Sequence, residues 1–230
     1  MAASRLSRPG WKLLGGLGAA AILWFAVPPL LRDVDFFRLR KVDVRGAVNL
    51  RPEEIVRDLP IRPGQSLFDD LAPVQAAADT ISGLAEVRIG RRLPGTLVVK
   101  VREMSPVALA MSRGRLAPVA ADGRILPFDP VVAAPDLPVI GVADSGVAGL
   151  LARLRETDAG FFGRVVSARE DGSDVVIYTE HRRYRFRPDA GGEVIRAVMA
   201  VEQDLERHDK QWVELDARFA GQVVVRWGAA

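Results

Sequence analysis

The chain has no cysteine among its 230 residues, which removes disulfides, thiolate metal sites, iron–sulfur clusters and a cysteine nucleophile together. An extracytoplasmic domain with an adequate core needs no covalent staple, so this absence leaves the compartment open. Histidine is scarce: His181 and His208 lie far apart in polar surroundings, the pattern of solvated surface residues rather than of a metal or catalytic pair. An excess of one charge is also lacking. With 32 basic and 29 acidic residues the formal net charge is only +3, too small and too evenly spread for nucleic-acid recognition, where counterion release needs a clustered basic face.

Catalytic signatures are missing as well. Ser66, Ser82, Ser105, Ser112, Ser145, Ser167 and Ser173 stand in neither a G-x-S-x-G elbow nor an S-x-x-K pair. There is no HExxH, phosphate loop or dinucleotide fingerprint. The adjacent acids Glu53-Glu54, Asp69-Asp70 and Glu170-Asp171 sit at turns and helix starts, where acids cap or solvate. A glycosidase-like pair would need two carboxylates roughly 5–10 Å apart across a cleft. An anchored cell-wall-acting enzyme is therefore the weaker alternative to a non-enzymatic interaction protein, and no cofactor is expected.

What the sequence does contain is one long apolar run. Leu13 to Leu31, LLGGLGAAAILWFAVPPLL, carries no charge for 19 residues, close to the roughly 20 that cross a bilayer as a helix. Arg5, Arg8 and Lys12 precede it and no acid occurs before Asp33, so the positive-inside rule keeps the amino terminus in the cytoplasm and exports the rest. A cleaved signal peptide fits less well, because Trp24-Phe25-Ala26 puts a bulky residue at the cleavage site. A buried core helix is disfavoured by the uncharged length and by Pro28 and Pro29. The Gly16/Ala20 pair is a weak signal for close approach of another helix.

Beyond this segment, Lys41–Arg45 alternates with Val42 and Val44 inward and ends at Gly46, a half-buried strand. Asn49 is the expected N-cap of a helix running to Leu59, with Pro52, Glu53 and Glu54 in its first turn. A second helix is expected over 70–81, from the spacing of Leu71, Val74, Ala78 and Ile81. Two strands follow, carrying Ala85, Val87, Ile89 and then Leu97, Val99, Val101, joined by a Pro94-Gly95 turn. A three-stranded sheet with both helices on one face buries these patterns most compactly.

From about Val107 the texture changes. Leu116–Val119 and Ile125–Phe128 flank Asp122-Gly123, and Val165–Ala168 and Val175–Tyr178 flank Asp171-Gly172, two hairpin signals. Tyr184 and Phe186 continue the second meander. Helices are expected over 147–155 and 193–206, the latter with Val194, Val198, Val201 and Leu205 on one stripe. Two short strands, WVELDARF and QVVVRW, close the sequence as a hairpin with a free outer edge. The basic and aromatic stretch His181–Arg187, HRRYRFR, reads first as a solvated strand face, and second as a contact for an acidic partner segment or anionic headgroups.

The order of apolar anchor, KVDVRGAVNLRPEEI, LPGTLVVKVREMSPVAL and closing DARFAGQVVVRW resembles the FtsQ/DivIB family of bitopic bacterial cell-division proteins along essentially the whole chain. Its most specific piece is Pro94–Ala108, with Glu103, Pro106, Val107 and Ala108 at the family's positions. The resemblance implies an α+β chain. Residues 1–12 would be a cytoplasmic tail, 13–33 a transmembrane helix and 37–105 a POTRA-like β-α-α-β-β domain. Residues 106–230 would form a larger mixed, mainly antiparallel β domain with two helices. It implies a non-enzymatic divisome scaffold in the inner membrane at the division septum, with its C-terminal domains in the periplasm. Partners of the FtsB and FtsL type would add a strand at the last β edge, placing the partner-binding residues at Arg218, Phe219, Gln222, Val223, Val224, Val225, Arg226 and Trp227. Strand addition is physically suited to such an edge, since main-chain bonds give affinity and alternate side chains give specificity. Arg226 is then either a contact or a charged guard against edge-to-edge aggregation.

Overall fold

A computed structural model describes residues 35–134 and 136–228. The expected transmembrane helix at 13–33 lies outside the described residues; among those described, no helix is long and apolar enough to cross a membrane. The chain divides into two compact units, one formed by residues up to 47 together with 51–102, the other by 48–50 together with 103 onward.

The first unit holds β1 (Lys41–Arg45), α1 (Pro52–Arg57), α2 (Ala72–Ala78), β2 (Leu84–Arg92) and β3 (Thr96–Glu103). Its sheet runs in the order β1-β3-β2, with β1 parallel to β3. Leu97, Val99 and Val101 of β3 are buried together with Ile55 of α1 and Val74 and Ala78 of α2, each large apolar side chain worth about 1.5–3 kcal/mol of transfer. Gly46 ends β1 at φ +90, and a Cβ there would collide with the Val101 carbonyl oxygen. No other residue fits that turn.

Both helices are shorter than the periodicity suggests. Arg51, not Asn49, is the N-cap of α1 and makes no side-chain cap bond. Asn49 instead donates its side-chain amide to Glu103 Oε2 at 2.8 Å, and the same carboxylate accepts the backbone N–H groups of Val48, Asn49 and Leu50 at 2.8–3.0 Å. The Glu54 N–H is met instead by the Arg51 carbonyl at 3.0 Å. Burial pushes the Glu103 carboxyl up, but the three N–H donors outweigh it and hold it below the usual range. In β2 the buried positions are Leu84 and Val87 while Ala85 is exposed, so the expected Ala85-Val87-Ile89 alternation does not hold at its first residue.

The second unit is built on one eight-stranded sheet, ordered β11-β10-β9-β8-β7-β6-β4-β5. Its strands are β4 (Pro106–Ser112), β5 (Arg115–Ala120), β6 (Val139–Ile140), β7 (Ser167–Asp171), β8 (Asp174–Tyr178), β9 (Arg183–Phe186), β10 (Glu214–Asp216) and β11 (Val224–Arg226). The Asp171-Gly172 hairpin and its continuation into β9 form as expected. The first expected hairpin forms only as a stub: the chain turns back at Asp122-Gly123, the Ala120 and Leu126 N–H groups bond the Arg124 and Pro118 carbonyls at 2.9 and 2.8 Å and Val119 bridges Ile125, while the strand-length partner of β5 is β4, across Arg113-Gly114. Apolar VALAM in β4 carries no period-2 pattern because its residues 107–110 are all buried, and a run buried on both faces does not reveal itself as a strand by alternation.

The sheet is more mixed than expected. Three pairings, β4 with β6, β6 with β7 and β9 with β10, are parallel, against four antiparallel. Four helices rather than two accompany it: α3 (Pro130–Ala133), α4 (Ser145–Thr157), α5 (Ala159–Gly163) and α6 (Gly192–Arg207). Asp144 and Asp158 cap α4 and α5 by accepting the N–H of Val147 and Phe161, each at 2.8 Å. Val147, Leu150, Leu151 and Leu154 of α4 and Ile195, Val198 and Leu205 of α6 share one core with Val175, Ile177, Tyr184, Phe186 and Leu215 of the sheet.

The stripe of α6 is rotated from the expected one: Val194 and Val201 are only partly buried, and Glu202 is inside at 3% exposure. Tyr184 donates its hydroxyl to Glu202 Oε1 at 2.6 Å, and Arg164 donates to both carboxylate oxygens at 3.0 and 2.9 Å. Burial raises the Glu202 carboxyl, yet Arg164 and then the Tyr184 hydroxyl pull it below the usual carboxylate range.

Candidate functional site at the terminal sheet edge

β10 and β11 pair antiparallel as a closing hairpin, with Glu214 opposite Arg226, Leu215 opposite Val225 and Asp216 opposite Val224. The strands are three residues each, shorter than the apolar runs suggest, and residues 217–223 form the connection. Gly221 turns there at φ +71, and the Gln222 N–H bonds the Phe219 carbonyl at 3.2 Å. Among the described residues no strand pairs with the outer side of β11.

Register sorts the candidate residues into two faces. Leu215 aligns with Tyr184 on one side and Val225 on the other, so Val225 follows these buried residues and packs with Val223 against the core. Val224 and Arg226 belong to the opposite, helix-free face; Val224 is 40% exposed, and Phe219 and Trp227 are more than half exposed. Gln222 lies in the turn. The candidate set therefore supplies three exposed apolar side chains, Phe219 in the connection, Val224 in β11 and Trp227 just after it, with the edge seated by Val223 and Val225.

Sequence reasoning missed what holds this edge down. The open face carries cross-strand rows, Arg185–Asp216–Val224 and Arg183–Glu214–Arg226. Asp216 is 1% and Glu214 2% exposed. Arg218 donates to both Asp216 oxygens at 2.8 and 2.7 Å and to Asp174 at 2.7 Å. The Arg218 hydrogen bonds, opposed by burial, hold the Asp216 carboxyl below its usual range, and Asp216 and Asp174 in turn raise the guanidinium. Arg218 also lies 5.6 Å from the Phe219 ring centroid, a cation–π distance. Arg226 ion-pairs with Glu214 at 3.2 Å and Asp216 at 3.7 Å, Arg183 with Glu214 at 3.3 Å, and Arg185 with Asp171 at 2.6 Å.

This network also accounts for the HRRYRFR stretch. Tyr184 and Phe186 are buried, Arg183 and Arg185 pair with acids on the open face, and Arg182 stacks 4.4 Å from the Trp212 ring while pairing with Glu206 at 2.8 Å. The signal for these partners was the alternation of E-L-D with R-Y-R-F. It was unreadable without knowing that β9 and β10, separated by α6, run parallel side by side.

Residues 37–104 match the family model described as POTRA domain, FtsQ-type. Among curated proteins the chain is similar to the cell division protein FtsQ of Caulobacter vibrioides, 27% identical over 117 residues covering 50% of this chain and 39% of that protein. It is also similar to FtsQ of Anaeromyxobacter, 32% identical over 143 residues covering 60% and 46%. These comparisons make the chain similar to FtsQ cell-division proteins, with an FtsQ-type POTRA domain at residues 37–104. It spans about half the length of the FtsQ relatives it matches, from 39% to 51%. Among solved structures it is similar to the major extracytoplasmic domain of the trans isomer of DivIB from Geobacillus stearothermophilus, at 19% identity and a TM-score of 0.34, covering 46% of this chain and 96% of that one.

Proposed function

We propose that this FtsQ-like chain is a non-enzymatic cell-division scaffold that receives a partner strand on the outer side of β11. The observation that carries this reading is the combination of an unpaired edge, among the described residues, with exposed Phe219, Val224 and Trp227 beside it. Added main-chain bonds supply affinity and those three side chains supply specificity. The partners are divisome proteins of the FtsB and FtsL type. Residues 13–33 anchor the chain once in the inner membrane with the amino terminus in the cytoplasm. Residues 37–105 and 106–230 act as POTRA and β domains in the periplasm at the septum.

Arg226 has two neighbouring acids to satisfy it, which suits a charge that guards an unoccupied edge until a partner arrives. Photocrosslinking of the full chain in dividing cells from Phe219, Val224 and Trp227 tests the proposal. An adduct with an FtsB- or FtsL-type protein is expected from these positions, and none from the opposite sheet edge at Leu116. A proline scan over Val224, Val225 and Arg226 sharpens it. Amides along a strand point alternately to its two sides, so capture falls at alternate positions if the outer edge is used. Equal capture by all variants overturns strand addition.

A further inference from the structure

We infer that the helix-free face of the POTRA sheet is a docking surface for anionic lipid headgroups, an inference that rests on the reading of residues 13–33 as a membrane anchor. Register puts Lys41, Asp43 and Arg45 of β1 on one face with Thr96, Val98, Lys100 and Arg102 of β3. Arg88 and Arg92 of β2 join that face, because Arg92 reaches Asp43 at 3.3 Å while Glu86, bonded to Arg88, reaches Arg102 at 3.5 Å. Arg91, of the other parity, reaches the carbonyls of Leu67 and Asp69 instead. The open face thus holds Lys41, Arg45, Arg88, Arg92, Lys100 and Arg102 against only Asp43 and Glu86.

Each acid is already shared between two arginines, and Lys41 and Lys100 form no ion pair among the described residues. Arg45, Arg88, Arg92 and Lys100 surround a shallow groove of about 420 Å³ floored by Gly90 and Val98. Four cations rim this open groove and it has no enclosed apolar pocket, which matches a headgroup layer; an acidic peptide is the competing occupant of such an arginine cluster.

Proximity decides between the two. Only three residues, 32–34, separate Leu31 from Asp35, and the four steps between them span at most about 14 Å of extended chain, so the unit is held close to the bilayer. That distance is comparable to a Debye length of about 8 Å at physiological salt. Phe36, 57% exposed, stands at the membrane-side start of the unit, where amphipathic or aromatic groups settle at an interface.

The absence of cysteine allows a unique fluorescent label on the full chain, at Thr96→Cys on the open face or Ala76→Cys on the exposed side of α2. The chain is reconstituted in vesicles of phosphatidylcholine alone or with added phosphatidylglycerol, and quenching by a headgroup-spin-labelled lipid is read. Docking predicts that quenching at residue 96 at least doubles with the anionic lipid. It should also exceed quenching at 76, fall when salt rises from about 0.1 to 0.5 M, and vanish in Lys41→Glu/Lys100→Glu. Quenching at 96 that is equal in both lipids, or equal to that at 76, overturns it. So does salt-insensitive quenching, as would preferential binding of a poly-glutamate peptide that leaves the vesicle signal at its neutral-lipid level. Carbonate extraction separates the two readings: an extractable chain refutes the anchor, whereas a retained chain with silent residue 96 refutes only the docking face.

Discussion

The open faces of the two sheets carry the same residue type to opposite effect. In the β domain, Arg183, Arg185, Arg218 and Arg226 pair with Asp171, Asp174, Glu214 and Asp216, Arg169 beside them lies over the Tyr178 ring, and two of the acids are almost fully buried. In the POTRA domain six cations meet two acids, and the Asp43 and Glu86 side chains remain 23% and 39% exposed. A buried carboxylate fixes its arginines, because losing one partner strands a charge away from water. Exposed pairs are each worth about 0–1 kcal/mol and exchange readily. The first face is therefore a structural clamp beneath β11, and the second is a surface with positive charge to spare.

The largest loss is expected at the β domain's other buried acid, Glu202, on the helix-covered side of the sheet. Glu202→Ala leaves the Tyr184 hydroxyl and Arg164 without their buried acceptor, and should destabilise the β domain by about 3 kcal/mol. The check is urea unfolding of the full chain in detergent micelles. Its acid limb gives a second readout. Glu202 and Asp216 both have folded values below their unfolded ones, so their stabilisation is complete above about pH 5 and is lost progressively as pH falls through the unfolded and then the folded values. Glu202→Gln should flatten that acid limb.

Asp216→Ala comes next, with about 2 kcal/mol lost from the charged hydrogen bonds to Arg218. Amide exchange in β11 and capture from Phe219 should report it, since the strand loses its clamp. In the POTRA domain Gly46→Ala should cost about 1–2 kcal/mol, because φ +90 and the Val101 carbonyl both oppose a side chain; thermal unfolding monitors this. Smallest is Lys41→Glu/Lys100→Glu, expected to move stability by no more than about 0.5 kcal/mol. A larger loss would mean that the basic face is structural after all and would erase the distinction between the two sheets.

Much of the POTRA fold was legible because its strands are half-buried and its turns carry their own chemistry. Gly46 stops β1, Pro94-Gly95 joins β2 to β3, and Leu97, Val99 and Val101 share the buried face, although Val98 on the other face is buried as well. The helices were legible in place but not in length, since Asn49 serves the Glu103 carboxylate rather than a helix end. In the β domain, β4 was hidden by burial on both faces, and β6, two residues long, is too short to leave a pattern. The candidate edge was legible as a final valine run. Its division into seated Val223 and Val225 and exposed Val224 was not, because facing depends on register with β10.

The sequence by itself determined the place of most POTRA elements, the apolar segment at 13–31 and the likeness to FtsQ proteins, since these rest on neighbours along the chain. Only the tertiary structure decided that β9 and β10 lie side by side, that Glu202 is drawn inside by Tyr184 and Arg164, and that six cations gather on one POTRA face. The physical reason is common to all three. Coulombic and hydrogen-bond partners act through space over a few ångströms, and the residues that meet here are separated by tens of positions in the chain.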